Sequence, residues 1–146
     1  REKEPNRDFV GPDDYGRLTF KYPKTWSAYE AKDIARGGNY EAYLNPGVVP
    51  PVTQTQQFGL RVLIENKDYD TVVAKYENLI KKGDLRSGAT SAHGNTGVRL
   101  DGNFTKDIRG SAVIYKLRDK TVTLRTDADN FKPDFEKIIQ TISFNQ

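Results

Sequence analysis

Alternation of apolar and polar residues at every second position is the feature that most constrains this fold. In residues 58–65, every second residue is Phe, Leu, Val or Ile, and the same period recurs in residues 17–22, 97–105 and 120–126. Successive side chains of a strand point to opposite faces, so the pattern predicts strands that each bury one face. It predicts a dry sheet face and an opposite face that carries charge.

Turn residues divide the chain into eight predicted strands. Their connections are short in the second half of the chain, which favours antiparallel neighbours, and the first three strands are expected to form a β-meander. The predicted strands are residues 17–22, 25–30, 39–44, 58–65, 85–92, 97–105, 110–117 and 120–126.

Two segments instead have the spacing of helices that bury one stripe. The first begins at Asp68 or Asp70 and ends at Gly83, and the second has Pro133 as its first helical residue. Their apolar stripes are Val72, Val73, Tyr76, Leu79 and Ile80 in the first, and Phe135, Ile138, Ile139 and Ile142 in the second. A doubly wound parallel sheet needs more helices than two. The order of elements therefore predicts an α+β fold with a central, mainly antiparallel β-sheet flanked by helices in an α/β/α sandwich.

Composition excludes several classes of protein. The chain has 146 residues, of which 36% are hydrophobic and 29% charged, which is typical of one globular domain. It has no cysteine and one histidine, so structural disulfides, thiolate nucleophiles and cysteine-based metal sites are excluded. We expect no catalytic residues, no cofactor and no metal site, and therefore no enzyme.

Residues 1–14 differ from the rest of the chain. They are polar, contain Pro5 and Pro12, and have Phe9 and Val10 as their only large apolar residues. This composition predicts a polar tether ahead of a single domain at residues 15–146. Because the chain does not begin with Met, we expect a trimmed signal peptide or lipid anchor and an extracytoplasmic monomer that meets the membrane only through that anchor. A cytosolic protein shortened before crystallisation is the alternative.

The net charge of +3 and the pI of about 9.0 raise the question of nucleic acid. The basic residues of the second half are spread over three predicted strands and are not interleaved with aromatic residues, unlike a nucleic-acid surface. We therefore expect a solvated sheet face and no nucleic-acid partner. These residues are Arg99, Lys106, Arg109, Lys116, Arg118, Lys120 and Arg125.

Residues 42–60 carry no formal charge, and their centre, residues 45–57, contains three prolines. Prolines lack the amide donor that a helix or a central strand requires, so this centre predicts a long loop. Long loops in compact domains are commonly functional, and this one is the leading candidate for contact with a protein partner. A flexible insertion without function is the alternative. The candidate contact residues are Asn45, Pro46, Val48, Val49, Pro50, Pro51, Gln54, Gln56 and Gln57.

Two apparent sites fail on their patterns. Asp127, Asp129 and Asn130 start like a calcium loop, but Lys132 and Ile138 stand where glycine and glutamate are required, so a turn that leads into a helix is the better interpretation.

His93 has Ser91 and Asp101 within eight residues, which supplies the residue types of a nucleophilic triad. No Gly-x-Ser-x-Gly turn precedes it, so we expect a solvated loop histidine.

Four places in the chain resemble the PsbP-like family. They are the run LTFKYP at residues 18–23 with Trp26 after it, the strand at 58–65 with the helix that follows, the meander at 97–126, and the helix and strand at 131–144. Together they cover residues 15–146. The resemblance implies a central antiparallel sheet covered by helices, and a non-catalytic accessory domain that is exported and anchored in many members.

The leading functional hypothesis is thus an extracytoplasmic interaction domain of PsbP-like type. An alternative is a small-ligand or glycan-binding module with Tyr40, Tyr43, Tyr69 and Trp26 around a cleft. A third hypothesis is a hydrolase whose carboxylates converge only in three dimensions. Trp26 itself is expected to have a structural role.

Overall fold

The structure is a computed structural model that describes residues 5–31, 39–53, 56–92, 95–117 and 119–144. The strands are β1 (Pro5–Val10), β2 (Thr19–Pro23), β3 (Trp26–Glu30), β4 (Tyr40–Pro46), β5 (Leu60–Glu65), β6 (Leu85–Ala92), β7 (Asn95–Asn103), β8 (Arg109–Leu117) and β9 (Lys120–Thr126). The helices are α1 (Tyr69–Ala74), α2 (Glu77–Lys82) and α3 (Lys132–Ile139), with short 3-10 turns at Asp13–Tyr15 and Asp129–Phe131.

Seven strands form one sheet in the order β3-β4-β5-β9-β8-β7-β6, and every neighbouring pair is antiparallel. This confirms the predicted α+β fold with a central antiparallel sheet. The predicted meander of the first three strands is wrong, because β2 does not pair with β3. The strand that ends at Pro23 belongs to a separate two-stranded sheet with β1.

The interpretation of residues 1–14 as a tether is wrong for the part that the structure describes. Residues 5–10 are strand β1, whose Phe9 is buried and stacks on Phe20 at 4.7 Å between ring centroids. Arg7 donates a hydrogen bond to the Trp26 carbonyl at 2.9 Å. One buried aromatic ring and a partner strand suffice to fix a segment whose composition is otherwise polar.

One face of the seven-stranded sheet, the core face, carries Val62 of β5, Leu124 of β9 and Val113 of β8 in one row of paired residues. All three are fully buried or nearly so. The sheet of β1 and β2 and the helix α3 cover this face, with Phe135 and Ile138 in the same apolar cluster. The predicted stripe of the second helix is confirmed there.

The opposite face, the groove face, carries Arg61, Arg125 and Ala112 in the adjacent row. At its β7 and β8 end, α1 and α2 cover a second apolar cluster that includes Val72, Leu100 and Ile114. The expectation of one dry face and one charged face is therefore wrong, since both faces of the sheet bury apolar side chains. The arginines on these faces, Arg61, Arg99 and Arg125, are themselves partly buried.

The first predicted helix is two helices. It begins after Asp68 and ends at Gly83 in the left-handed conformation, as predicted, but it is interrupted at Lys75 and Tyr76, whose amides bond three residues back. The interruption lets Tyr76 pack edge-on against Phe104 while the Lys75 ammonium reaches Glu65 at 3.0 Å. Tertiary contacts thus override the continuous stripe.

Candidate functional site

The candidate contact loop connects β4 to β5. Asn45 and Pro46 were predicted to belong to the loop, but they are the last residues of β4 and pair with Ser27 and Trp26 of β3. The β4–β5 ladder already ends at Leu44, so the missing amide of Pro46 costs no hydrogen bond in the central sheet. The loop proper therefore begins at Gly47.

The two ends of the loop are fixed by hydrogen bonds. Gly47 has a φ of +71°, a conformation that favours glycine, and donates to the Thr25 carbonyl at 3.0 Å. The Asn45 side-chain oxygen accepts from the Gly59 amide at 2.9 Å. At Gly59, the absence of a side chain makes room for the buried ring of Trp26, which confirms the structural role of that tryptophan.

Arg61 holds the body of the loop. Its Nη2 donates to the carbonyl oxygens of Thr53 at 3.1 Å and Gln56 at 2.6 Å. The loop is thus tied to the sheet through its own main chain at Thr53 and Gln56.

Asp127 in turn fixes Arg61. Its carboxylate is fully buried and lies 2.6 Å from Arg61 Nε and 2.8 Å from Arg125 Nε. It also accepts from the Phe58 amide at 2.9 Å, and its own amide donates to the Phe58 carbonyl. Arg61 and Arg125, the arginine pair, face each other on neighbouring strands, where like charges repel. The shared carboxylate offsets that repulsion.

Sequence reasoning missed this ion cluster. It placed Asp127 in a turn that leads into a helix, and the chain does turn there through the 3-10 segment Asp129–Phe131 into α3. The prediction that Arg99 and Arg125 lie on a solvated face is wrong, because their side chains are only about one-fifth exposed. The signal that could have found the cluster is an Arg-x-Asp pair at the end of a strand, opposite another arginine.

The loop presents an exposed apolar surface in which Tyr29 of β3 lies with Val49, Pro50, Pro51 and Val52, and we name it the loop patch together with the exposed Val48 that precedes them in the chain. Val48 is 83% exposed, Tyr29 47% and Val52 42%, and these three are most of the large exposed hydrophobic residues in the part of the chain that the structure describes. β3 is an edge strand, so the patch lies at one edge of the sheet. Concentrated exposed apolar side chains mark interaction sites.

The glutamines of the predicted loop behave differently from its valines. Gln56 donates to the Gln57 carbonyl at 3.3 Å, and Gln57 donates to the Asp107 carbonyl at 3.4 Å. Their amides thus serve the loop's own structure. Gln54 lies outside the described residues.

A cavity of about 200 Å³ opens on the groove face beside the loop. Its floor is two rows of paired strand residues, with Tyr76 as a wall between α1 and α2. The rows are Tyr43, Arg61 and Arg125, and Glu41, Leu63 and Thr123. Sequence reasoning did not predict this cavity, because its residues come from three strands and one helix break that are far apart in the chain.

Burial controls the tyrosines of the cavity. It raises the pKa of Tyr43, and the hydrogen bond that this phenol donates to Glu41, together with the charge of that carboxylate, raises it further. Burial also raises the pKa of Tyr76. Both phenols are therefore neutral at physiological pH and act as hydrogen-bonding groups rather than nucleophiles.

A second polar cluster surrounds Arg99 on the core face. Its guanidinium bonds to Glu136 of α3 and to Asp101 at 3.1 Å, which raises the pKa of Arg99, the hydrogen bond to Glu136 contributing most. Burial alone would raise the pKa of Asp101, but hydrogen bonds from Arg99 and Ser111 outweigh it and lower that pKa. Both carboxylates bind one cation, and for Asp101 this favours the charged form over a role in proton transfer.

The aromatic residues proposed for a ligand cleft do not converge. Tyr40 and Trp26 are buried in the core-face cluster, whereas Tyr43 and Tyr69 lie on the opposite side of the sheet. The cleft of four aromatic residues is therefore not formed, and of the four only Tyr43 lines the groove-face cavity.

His93 and Arg118 lie outside the described residues. Within the described ranges, no three histidine, aspartate or glutamate side chains come together as ligands for a metal ion. None of the helices described here has the length and apolar character needed to cross a membrane.

The arrangement of strands defines the fold. No protein-family model matches the chain, and no curated protein matches it significantly. Its structure is similar to the solution structure of cyanobacterial PsbP (CyanoP) from Synechocystis sp. PCC 6803, with a TM-score of 0.56 and 15% identity over 94% of this chain and 91% of that chain. The fold is PsbP-like, which confirms the resemblance found in the sequence. A protein from Bacteroides thetaiotaomicron VPI-5482 also matches, with a TM-score of 0.49 and 11% identity over 97% of this chain and 49% of that chain.

Proposed function

We propose that this protein is a non-catalytic accessory domain that binds a protein partner through the loop patch. The observation that carries the proposal is the pair of hydrogen bonds from Arg61 to the Thr53 and Gln56 carbonyls, which tie a loop without charged residues to the sheet. A loop that is tied to the sheet before binding loses less conformational entropy on binding. An unimportant insertion would have no need of a buried ion cluster beneath it.

The chemistry of the patch indicates the chemistry of the partner. Residues 42–60 carry no formal charge, and Val48 is almost fully exposed. Such a surface fits an uncharged, apolar surface on the partner, whose association gains from buried area more than from charge steering. We therefore expect the affinity to change little with salt.

The absence of catalysis is part of the same proposal. Asp101 and Glu136 both bind Arg99, and the cavity lined by Asp84, Asp101 and Asp129 also contains Arg86, Arg109 and Lys132. That engagement supports a structural role for the cluster. The proposal includes that the protein acts as a monomer and binds no cofactor, metal or nucleic acid.

The proposed location is extracytoplasmic, with membrane attachment through a segment ahead of Arg1. Support comes from the PsbP-like fold. The test is whether protease digests the full-length protein in cells whose outer envelope has been made permeable while the cytoplasmic membrane stays intact. Digestion there agrees with export, and protection until the cytoplasmic membrane is lysed contradicts it.

Because the chain has no cysteine, a single introduced thiol can carry a photo-crosslinker. We would place it at Val48→Cys in the loop patch and at Ser87→Cys, an exposed residue of the opposite edge strand β6, as the matched control. Irradiation in membrane extracts of the source organism should give one adduct at position 48 that excess wild-type protein removes. Equal adducts at both positions, or none at position 48, would contradict the proposal.

A further inference from the structure

The groove-face cavity contains charged and polar groups that the fold uses only in part. Arg61 uses Nη2 on the loop carbonyls, whereas Arg125 bonds to Asp127 through Nε and its guanidinium lies over the Phe104 ring, 5.2 Å from the centroid. Within the described ranges, the two terminal nitrogens of Arg125 have no hydrogen-bond acceptor. They belong to a side chain that keeps only 19% of its exposure and lines the cavity. A guanidinium held in this way is prepared for an anion.

Thr123 provides a second, independent observation. Its hydroxyl oxygen is buried and has no hydrogen-bond partner among the described residues, although the residue lines the cavity and is only 6% exposed. Buried polar groups without a partner are rare and costly, so rotation of this side chain toward a ligand in the cavity would give the hydroxyl the partner that it lacks. Thr126 has an equally buried and unpartnered hydroxyl but does not line the cavity.

We infer that this cavity binds a small organic carboxylate that also carries a hydrogen-bond donor, such as a hydroxy acid or an amino acid. A carboxylate matches the planar fork of Arg125. Glu41, on the other side of the floor, already accepts from Tyr43 and has a further oxygen for a donor of the ligand. A cavity of about 200 Å³ admits a molecule of a few heavy atoms, and Leu63 and Tyr76 give it apolar walls.

Titration of the purified protein with three probes, followed by amide chemical shifts, tests the ligand class. L-lactate and L-alanine carry the carboxylate and a donor, and 1,2-propanediol has the carbon skeleton of lactate without the carboxylate. We expect saturable shifts at residues 41, 63, 123 and 125 with both acids and none with the diol. Equal effects of the diol, or no saturable shift with either acid, would overturn the inference.

Two isosteric variants test the site itself. Thr123→Val and Thr126→Val each remove an unpartnered buried hydroxyl, so both should unfold at the same or a higher urea concentration than the wild type. Only Thr123→Val should weaken lactate binding, by about five- to tenfold. Equal affinities in the two variants would overturn the inference.

Arg125→Lys keeps the charge but removes the planar fork, and should weaken lactate binding by about tenfold or more. Wild-type affinity in this variant would also overturn the inference. Val48→Asp, which tests the loop patch, should leave lactate binding unchanged, so failure of either proposal can be recognised separately.

Discussion

The two faces of the seven-stranded sheet arise from the same alternation of residues but are stabilised differently. On the core face, the row of Val62, Leu124 and Val113 is buried under a second sheet and a helix. On the groove face, the adjacent row contains two arginines, and a cavity remains between that row and Tyr76. The core face is closed by apolar packing, whereas the part of the groove face at β5 and β9, beyond the apolar cluster under α1 and α2, is held by one buried carboxylate. The difference teaches that polar positions of an alternating strand need not be solvated.

Asp127→Asn should have the largest effect on the comparison. The change leaves two half-buried arginines without their shared carboxylate, so we expect the free energy of unfolding to fall by about 3–5 kcal/mol. Urea denaturation measures it. The matched control is Asp129→Asn, whose exposed carboxylate pairs with Arg109 and should contribute about 0.5 kcal/mol or less. Equal losses in the two variants would show that the groove face does not depend on the cluster.

Leucine truncation on each face comes next. Leu124→Ala opens a hole in the fully buried core face and should cost about 3 kcal/mol. Leu63→Ala removes a partly exposed wall of the cavity and should cost about 1 kcal/mol. Both values come from the same denaturation experiment. Equal costs would mean that the groove face is packed as tightly as the core face.

The Asp101 cluster gives a smaller, pH-dependent effect. The pKa of Asp101 is lower in the folded protein than in the unfolded chain, where it is about 3.9. Its stabilisation is therefore complete above about pH 4 and disappears as the pH falls through the folded pKa. Asp101→Asn should lose about 1.5 kcal/mol at pH 7 and lack this acid dependence. Glu77→Gln, an exposed carboxylate on α2, is the control, and an unchanged acid limb in Asp101→Asn would refute the assignment.

The exposed pair of Lys21 and Asp8 should have the smallest effect. It joins β1 and β2 at 2.7 Å, but both side chains are more than half exposed. Lys21→Ala should change the free energy of unfolding by about 0.5 kcal/mol or less, and the change should vanish in 1 M salt. A larger change that persists in salt would show that this pair stabilises the fold as the buried Asp127 cluster does, and not as an exposed ion pair.

Local patterns predicted the strands and the fold, because alternation and turn residues act over a few positions. Leu85–Ala92 and Lys120–Thr126 have the bounds that the sequence indicated, and Gly83 ends α2 as predicted. β1 was missed because its stability comes from Phe20, in a later strand. The helix break at Tyr76 depends on Phe104.

The candidate site was only partly accessible to such reasoning. The loop was recognisable from its prolines and lack of charge, since both are local properties. Its attachment was not, because Arg61 and Asp127 are 66 residues apart and meet only through the pairing of β5 with β9. The cavity likewise needs the order of the strands before its lining residues can be named.

The affinity of the crosslinked partner, once purified, tests the central proposal of a loop patch held for protein contact. It should be measured for the wild type, Val48→Asp and the control Ser87→Asp by isothermal calorimetry at two salt concentrations. We predict that Val48→Asp loses about 100-fold in affinity, as a charge buried against an apolar surface would. Ser87→Asp should stay within about twofold, and salt should change the wild-type affinity little. Wild-type affinity in Val48→Asp would contradict the account.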